Sequence, residues 1–433
     1  MEEKSRAVRS VESEETFNDY EFSPVPDEKK NTWKAQVFVW LGVGFCLTAF
    51  TLGGQIALGL GFWPTVAAVL VGGIILTVVG ALVGAIGVRS GLSSTVSSRF
   101  TFGTYGAIIF GLINALCNFG WFGYQCTFFG SSITSMFKLA AGIEVNLTAC
   151  IVIGGLLMMI TAIVGYKGIK VLSQFGVPLL FLLVIGGVIK TFTVVPAGEI
   201  VSAPPVEPIS FATAVSLMVG SFIVGVSIVQ DFTRYSKTVK DSSIGIVLGF
   251  TIGYPAVVIC GAIFACAFQS NDLTNTLINV LGFGYIAAFI IVIATWTTND
   301  NNLYQSVLGL TNACHGIIKL PRWVTTAICG VIATILGAIG MIDWLVPFLN
   351  ILCVVVPPIT GVMLADFYNV RPDTSIGAIV GCLVGLCMNE PPVGFGVPFM
   401  VRLSTIVPSA LVAMACSVVM VLIANQFTAK KAA

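Results

Sequence analysis

Apolar runs of about 20 residues recur from Val37 almost to the C-terminus, and that is the length an α-helix needs to cross a bilayer. Hydrophobic residues make up 56% of the chain and charged ones 9%, more apolar surface than a soluble domain of 433 residues could hide. Twelve segments can be drawn, at roughly 36 to 60, 63 to 88, 104 to 137, 146 to 166, 170 to 192, 210 to 232, 243 to 268, 281 to 312, 322 to 341, 343 to 366, 374 to 392 and 404 to 426. They predict an all-α integral membrane protein with twelve transmembrane helices.

The residues before the first segment are of a different kind, with mixed charges, Ser and Pro. They lack the basic and apolar regions of a signal peptide. A cytoplasmic tail is expected over 1–34, with Phe22-Ser23-Pro24-Val25-Pro26 as a stiff piece that packs under the membrane domain. Alternating the connections from a cytoplasmic N-terminus leaves only Lys138, Lys190 and Arg402 outside, out of 21 lysines and arginines. That asymmetry is what the positive-inside rule requires, so both termini are expected in the cytoplasm of a multi-pass protein of the cell membrane. A net charge of +1 without basic patches argues against a nucleic-acid partner. The twelve cysteines lack metal-like spacing and read as small core residues. No segment pairs a nucleophile with a base, so an enzyme is not expected, and no obligate protein partner is evident.

Segments one and six carry small residues near their middles, Leu41-Gly42-Val43-Gly44-Phe45 and Val219-Gly220-Ser221-Phe222 followed by Gly225. Gly weakens a helix by about 1 kcal/mol relative to Ala. Broken helices are tolerated at membrane depth where they line a cavity, and matched breaks in two halves point to an inverted-repeat transporter. Close helix packing through small residues is the other reading of the same glycines.

Segment eight contains Thr297-Thr298-Asn299-Asp300-Asn301-Asn302, six polar residues in a row where polarity is costly. Ala294, Thr297 and Thr298 share one helical face, so a carbonyl and two hydroxyl oxygens converge. Hard cations prefer oxygen ligands, and sodium does not demand carboxylates. Carbonyls of Gly42 and Phe45, also three apart, would bring such a sodium site to five oxygens. The competing reading is that the hydroxyls bond back to the preceding turn. Asp300 is read as a structural anchor ahead of a proton carrier, and the one His, His315, falls in a loop. Segment three adds a stripe of Asn118, Trp121 and Gln125, an indole and two amides suited to a planar, neutral, hydrogen-bonding heterocycle. Phe222 is a candidate for the opposite wall.

Several motifs carry a resemblance. They are Trp33 to Gly44, Arg99-Phe100-Thr101-Phe102-Gly103, Asn118-Phe119-Gly120-Trp121-Phe122-Gly123, Gly220-Ser221-Phe222, Asp231-Phe232-Thr233-Arg234-Tyr235, Trp296-Thr297-Thr298-Asn299-Asp300-Asn301 and the tract from Pro357-Pro358 to Asp366. In these the chain resembles the cytosine and purine permeases of the nucleobase–cation symporter family, from about Pro24 to the tenth or eleventh segment. The resemblance implies a LeuT-like fold: five helices over 35–192, an inverted five over 193–368, discontinuous helices one and six, and two accessory helices over 369–433. It implies a substrate ring stacked between Trp121 and Phe222, with backbone at Gly42 and Ser221 completing its hydrogen bonds. It also implies sodium held by Gly42, Phe45, Ala294, Thr297 and Thr298, and no organic cofactor. Typical bacterial cytosine permeases have Gln at the position of Asn118 and Asn at that of Ala294, while Gln125 resembles the amide of hydantoin-transporting relatives. The function expected is sodium-coupled symport of a neutral nucleobase by alternating access, with cytosine favoured and purine, hydantoin or allantoin open. Proton coupling, or an amino-acid symporter on the same scaffold, are the alternatives.

Overall fold

A helix lies beneath each of the twelve apolar segments in the computed structural model, which describes residues 23–164, 166–314, 321–369 and 375–432. Segment one holds α1 (Trp33–Gly44) and α2 (Leu47–Leu60), followed by α3 (Phe62–Ser90), α4 (Ser94–Ala141), α5 (Leu147–Val164) and α6 (Tyr166–Val194). Segment six holds α7 (Phe211–Ser227) and the single turn α8 (Gln230–Thr233). Then come α9 (Val239–Phe268), α10 (Gly284–Cys314), α11 (Arg322–Ala338), α12 (Leu345–Asn369), α13 (Ser375–Met388) and α14 (Ser409–Ala432). Five of the described helices are each long and apolar enough to cross a membrane, and near the C-terminus Pro398–Ser404 and Ser409–Ala424, bent by 111°, reach that length and apolarity only together. Apolar side chains such as Leu182 (64% exposed) and Ile286 (68%) face outward, a surface suited to lipid rather than water. Exposed Trp63, Trp323 and Trp344 sit at helix ends, where amphipathic rings favour the membrane interface.

The first segment breaks as its glycines suggest. Helix α1 stops at Gly44, Phe45 and Cys46 are non-helical, and Cys46 is extended (φ −130°, ψ 154°) before α2 restarts. The Cys46 N–H turns back to the Gly44 carbonyl at 3.1 Å. The sixth segment differs from expectation. Helix α7 runs without interruption through Gly220, Ser221, Phe222 and Gly225, and its break falls later, at Ile228–Val229. The reason is packing, since a Cβ on Gly220 would stand 2.6 Å from Cys353 Sγ and 2.7 Å from the Leu349 carbonyl oxygen. Smallness there serves contact with α12. The later break is fixed by a neighbour: Asp231 accepts hydrogen bonds from the Ser94 N–H (2.7 Å) and hydroxyl (3.0 Å) at the start of α4.

Helices α2 and α9 cross so closely that side chains are excluded. A Cβ on Gly53 would lie 1.8 Å from the Val258 carbonyl oxygen, and one on Gly261 would lie 1.9 Å from that of Phe50. Helix α4 bends at Gly103 (φ 69°, ψ −177°), which separates a leading turn region carrying Ser94 from the span that begins near Thr104. Helix α9 contains a π-helical stretch, Leu248–Gly253, where Thr251 and Thr77 share a hydroxyl contact of 2.7 Å.

The tail packs as the Pro-Val-Pro sequence suggests. Val25 is buried and its N–H donates to the Gly91 carbonyl at 3.2 Å. Asn31 pairs with the chain after α8, donating to Tyr235 O (2.6 Å) and accepting from the Lys237 N–H (2.9 Å). The Trp33 N–H reaches Asp241 Oδ1 at 2.9 Å. Between these points Lys30 donates to Asp27 at 2.7 Å and holds that carboxyl below the usual carboxylate range. Residues 1–22, His315, Lys319 and Arg371 lie outside the described residues.

Candidate functional site

Six polar residues in α10 sort by the face they occupy. Thr297 and Thr298 both donate to the Ala294 carbonyl, each at 2.9 Å, so three oxygens meet at one point. This is the back-bonded arrangement that Ser and Thr favour inside helices, and it also gathers the oxygens a cation would need. Ala294 and Thr297 are buried (4% exposed each). On the other side, Asn299 donates to the Phe122 carbonyl of α4 at 3.0 Å. Asp300, 1% exposed, accepts from Thr161 of α5 at 3.1 Å, and Thr161 in turn accepts from the Trp296 indole at 2.8 Å. Asn299 and Asp300 therefore tie α10 to α4 and α5. Asn301 and Asn302 bond within their own helix, to Thr297 O and Asn299 Oδ1.

Gly42 lies in the last turn of α1, where helix geometry leaves carbonyls without an intrahelical donor. Phe45 occupies the break itself, with its ring against Phe50 (5.7 Å) and Phe181 (5.4 Å). Phe45 packs against the hydrophobic cluster that contains Ala294. Among the described residues, no group of three His, Cys, Asp or Glu gathers as a transition-metal ligand set.

The α4 stripe is only partly free. Asn118 is buried and donates to the carbonyl (2.9 Å) and side-chain oxygen (3.0 Å) of Asn114, one turn earlier. Trp121 is half-buried, edge-on to Phe348 (5.2 Å) and Tyr124 (6.4 Å). Gln125 is 1% exposed and its Oε1 has no hydrogen-bond partner. A buried acceptor without a donor costs about 1–3 kcal/mol. Phe222 of α7 is half-buried and edge-on to Phe250 (4.8 Å) and Tyr254 (4.9 Å). The hydroxyl of Ser221 donates to Met218 O (2.7 Å) and accepts from Tyr254 (2.8 Å). Trp121 and Phe222 pack against one cluster, yet each ring has its own edge partners rather than the other.

Asn114, Tyr254, Phe348 and Thr161 are neighbours that sequence reasoning missed. A void of about 10 Å³, room for one water, lies between Asn114 and Cys117 on α4, Ser227 on α7 and Val356 on α12. A much larger cavity, about 490 Å³, opens among α2, α4 and the residues preceding α10 and α12, with Tyr124 on its wall.

Comparison with known proteins places the chain in a family. The sequence profile described as "Permease for cytosine/purines, uracil, thiamine, allantoin" matches residues 24–426. The cytosine permease of Escherichia coli (strain K12) is 31% identical over 353 residues, 81% of each chain. The hydantoin permease of Microbacterium maritypicum is 25% identical over 77% of this chain and 72% of its own. Among solved structures, the inward-facing conformation of Mhp1 superposes with a TM-score of 0.81 at 17% identity, covering 94% of this chain and 93% of that one.

Proposed function

Because this chain belongs to the family of permeases for cytosine/purines, uracil, thiamine and allantoin, we propose that it is a sodium-coupled importer of a neutral nucleobase, working by alternating access across the cell membrane. Cytosine is the leading substrate, given 31% identity to a cytosine permease. The observation that carries the reading is the meeting of Ala294 O with the Thr297 and Thr298 hydroxyls at 2.9 Å. Turning both hydroxyl lone pairs toward a cation converts two internal hydrogen bonds into three ligands, and the carbonyls of Gly42 and Phe45 raise the set to five.

The ring of the substrate stacks between Trp121 and Phe222, whose edge-on neighbours leave faces for it. The free Gln125 oxygen accepts a ring N–H, while Ser221 and Gly42 offer backbone groups. Asn118, being held by Asn114, contributes less, which keeps purine, hydantoin and allantoin rings open. The two broken segments head inverted halves, 35–192 and 193–368, that rock about this point, with both termini in the cytoplasm. Proton coupling is the second reading, favoured by the buried Asp300 carboxylate.

The test is uptake of radiolabelled cytosine into proteoliposomes under an imposed sodium gradient, a proton gradient, or neither. Accumulation driven by sodium alone supports the proposal. Accumulation under a proton gradient without sodium selects the second reading. Failure to accumulate any nucleobase, hydantoin or allantoin removes both.

A further inference from the structure

Tyr254 of α9 touches both of the broken segments. Its hydroxyl donates to Ser221 Oγ at 2.8 Å, and Ser221 donates in turn to Met218 O at 2.7 Å. Its ring stands edge-on to Phe222 at 4.9 Å. One side chain therefore holds two neighbouring residues of α7, the hydroxyl of the first and the ring of the second. It also meets the break in the first segment. A Cβ on Gly44 would stand 3.5 Å from Tyr254 Cβ and 3.6 Å from its Cδ2, ordinary contact distances, so the last residue of α1 lies against the tyrosine. Tyr254 is buried, and these contacts are not shared with solvent.

The chain arranges this locally. The π-helical stretch Leu248–Gly253 ends at the residue before Tyr254, and Pro255 follows, with no N–H for the Thr251 carbonyl one turn back. A π turn takes in one residue more than an α turn, which changes the face that the next side chains occupy, and such turns recur at functional sites. Phe250 inside the stretch and Tyr254 just after it close on the Phe222 ring from 4.8 and 4.9 Å. Packing explains an aromatic ring here but not its hydroxyl. A phenylalanine would fill the same space against Phe222 and Gly44 without burying a polar group. Ser221 has no need of the phenol either, since its own proton already goes to Met218 O. What the bond between them does is fix where Ser221 and the tyrosine ring stand relative to each other.

We propose that Tyr254 is a positioning residue that couples cation binding at the α1 break to the ring wall on α7. The inference rests on the transport reading given above, in which the Gly42 and Phe45 carbonyls hold sodium while Ser221 and Phe222 meet the ring. A cation on those carbonyls fixes the break, Gly44 between them passes that geometry to Tyr254, and the phenol sets Ser221 and Phe222. By linkage, sodium and cytosine then tighten each other's binding by one common factor, commonly about 5–150-fold. The experiment is equilibrium binding of radiolabelled cytosine to the purified full chain, in saturating sodium and with sodium replaced by potassium. The ratio of the two affinities is expected to be at least tenfold in the wild type and under threefold in Tyr254→Phe. Ser221→Ala, which cuts the same bond from its other end, is expected to match it, and the double variant to fall no further. If Tyr254→Phe does not fold, Ser221→Ala carries the same prediction. A merely structural role shifts cytosine affinity equally with and without sodium and leaves the ratio at the wild-type value. That result overturns the inference, leaves the transport reading standing and passes the coupling to Gly42, the backbone group that both sites share in that reading. Losses that multiply in the double variant overturn it as well. A wild type whose cytosine binding ignores sodium overturns the inference alone, and the imposed-gradient uptake test then decides the sodium reading. Absence of any nucleobase binding by the wild type sinks both.

Discussion

Removing one oxygen from the α10 triad is the most direct perturbation available at the scale of a residue. Thr298→Ala deletes a hydroxyl 2.9 Å from Ala294 O, while Thr298→Ser keeps it. An interaction of this class contributes about 1–1.5 kcal/mol, so the sodium concentration for half-maximal uptake is expected to rise roughly tenfold in Thr298→Ala and little in Thr298→Ser. A sodium titration of uptake that leaves both variants like the wild type removes Thr298 from the site. The triad was legible because its members lie three and four apart on one helix, a spacing the sequence displays directly. Tyr254 on Ser221 was not, since those residues are 33 apart and meet only when α9 packs on α7. Thr161 and Asp300 are 139 apart, and no local pattern announces the pair.

Elements explain where the reading of the glycines succeeded and where it failed. A glycine weakens a helix and also admits a neighbour, and the sequence does not distinguish the two uses. At Gly44 weakening prevails and α1 ends; at Gly220 the neighbour is α12, and α7 continues. The actual break after Ser227 depends on Asp231 gripping the first residue of α4, a contact 137 residues away. The closest approach, α2 on α9, gives the sharpest forecast. Gly261→Val places a branched side chain where a carbonyl oxygen already stands 1.9 Å from the added Cβ. Overpacking costs about 1–3 kcal/mol per misfit group, and here the backbone itself has to move, so a large loss of folded protein is expected. Size-exclusion chromatography in mild detergent checks this; a monodisperse peak at wild-type yield and thermal stability contradicts the crossing.

The whole molecule is drawn together by its tail, which reaches from Gly91 to Asp241 across otherwise separate connections. Asn31→Pro removes the N–H that bonds Tyr235 O at 2.6 Å. Amides of residues 23–33 are expected to exchange with deuterium at least tenfold faster in that variant, and unchanged exchange would show that the bridge does not hold the tail. The Pro-Val-Pro sequence hinted at docking, but its partners belong to connections far along the chain. That distance also sets a clock. Trp33 is 208 residues from Asp241, and a ribosome adding about 5–20 residues per second takes roughly 10–40 s to make the difference. The stretch around Trp33 thus waits, undocked, while the six apolar segments between it and Asp241 are made. Throughout that interval the Trp33 N–H lacks the partner it has in the folded chain, and its docking reports that synthesis has passed Asp241.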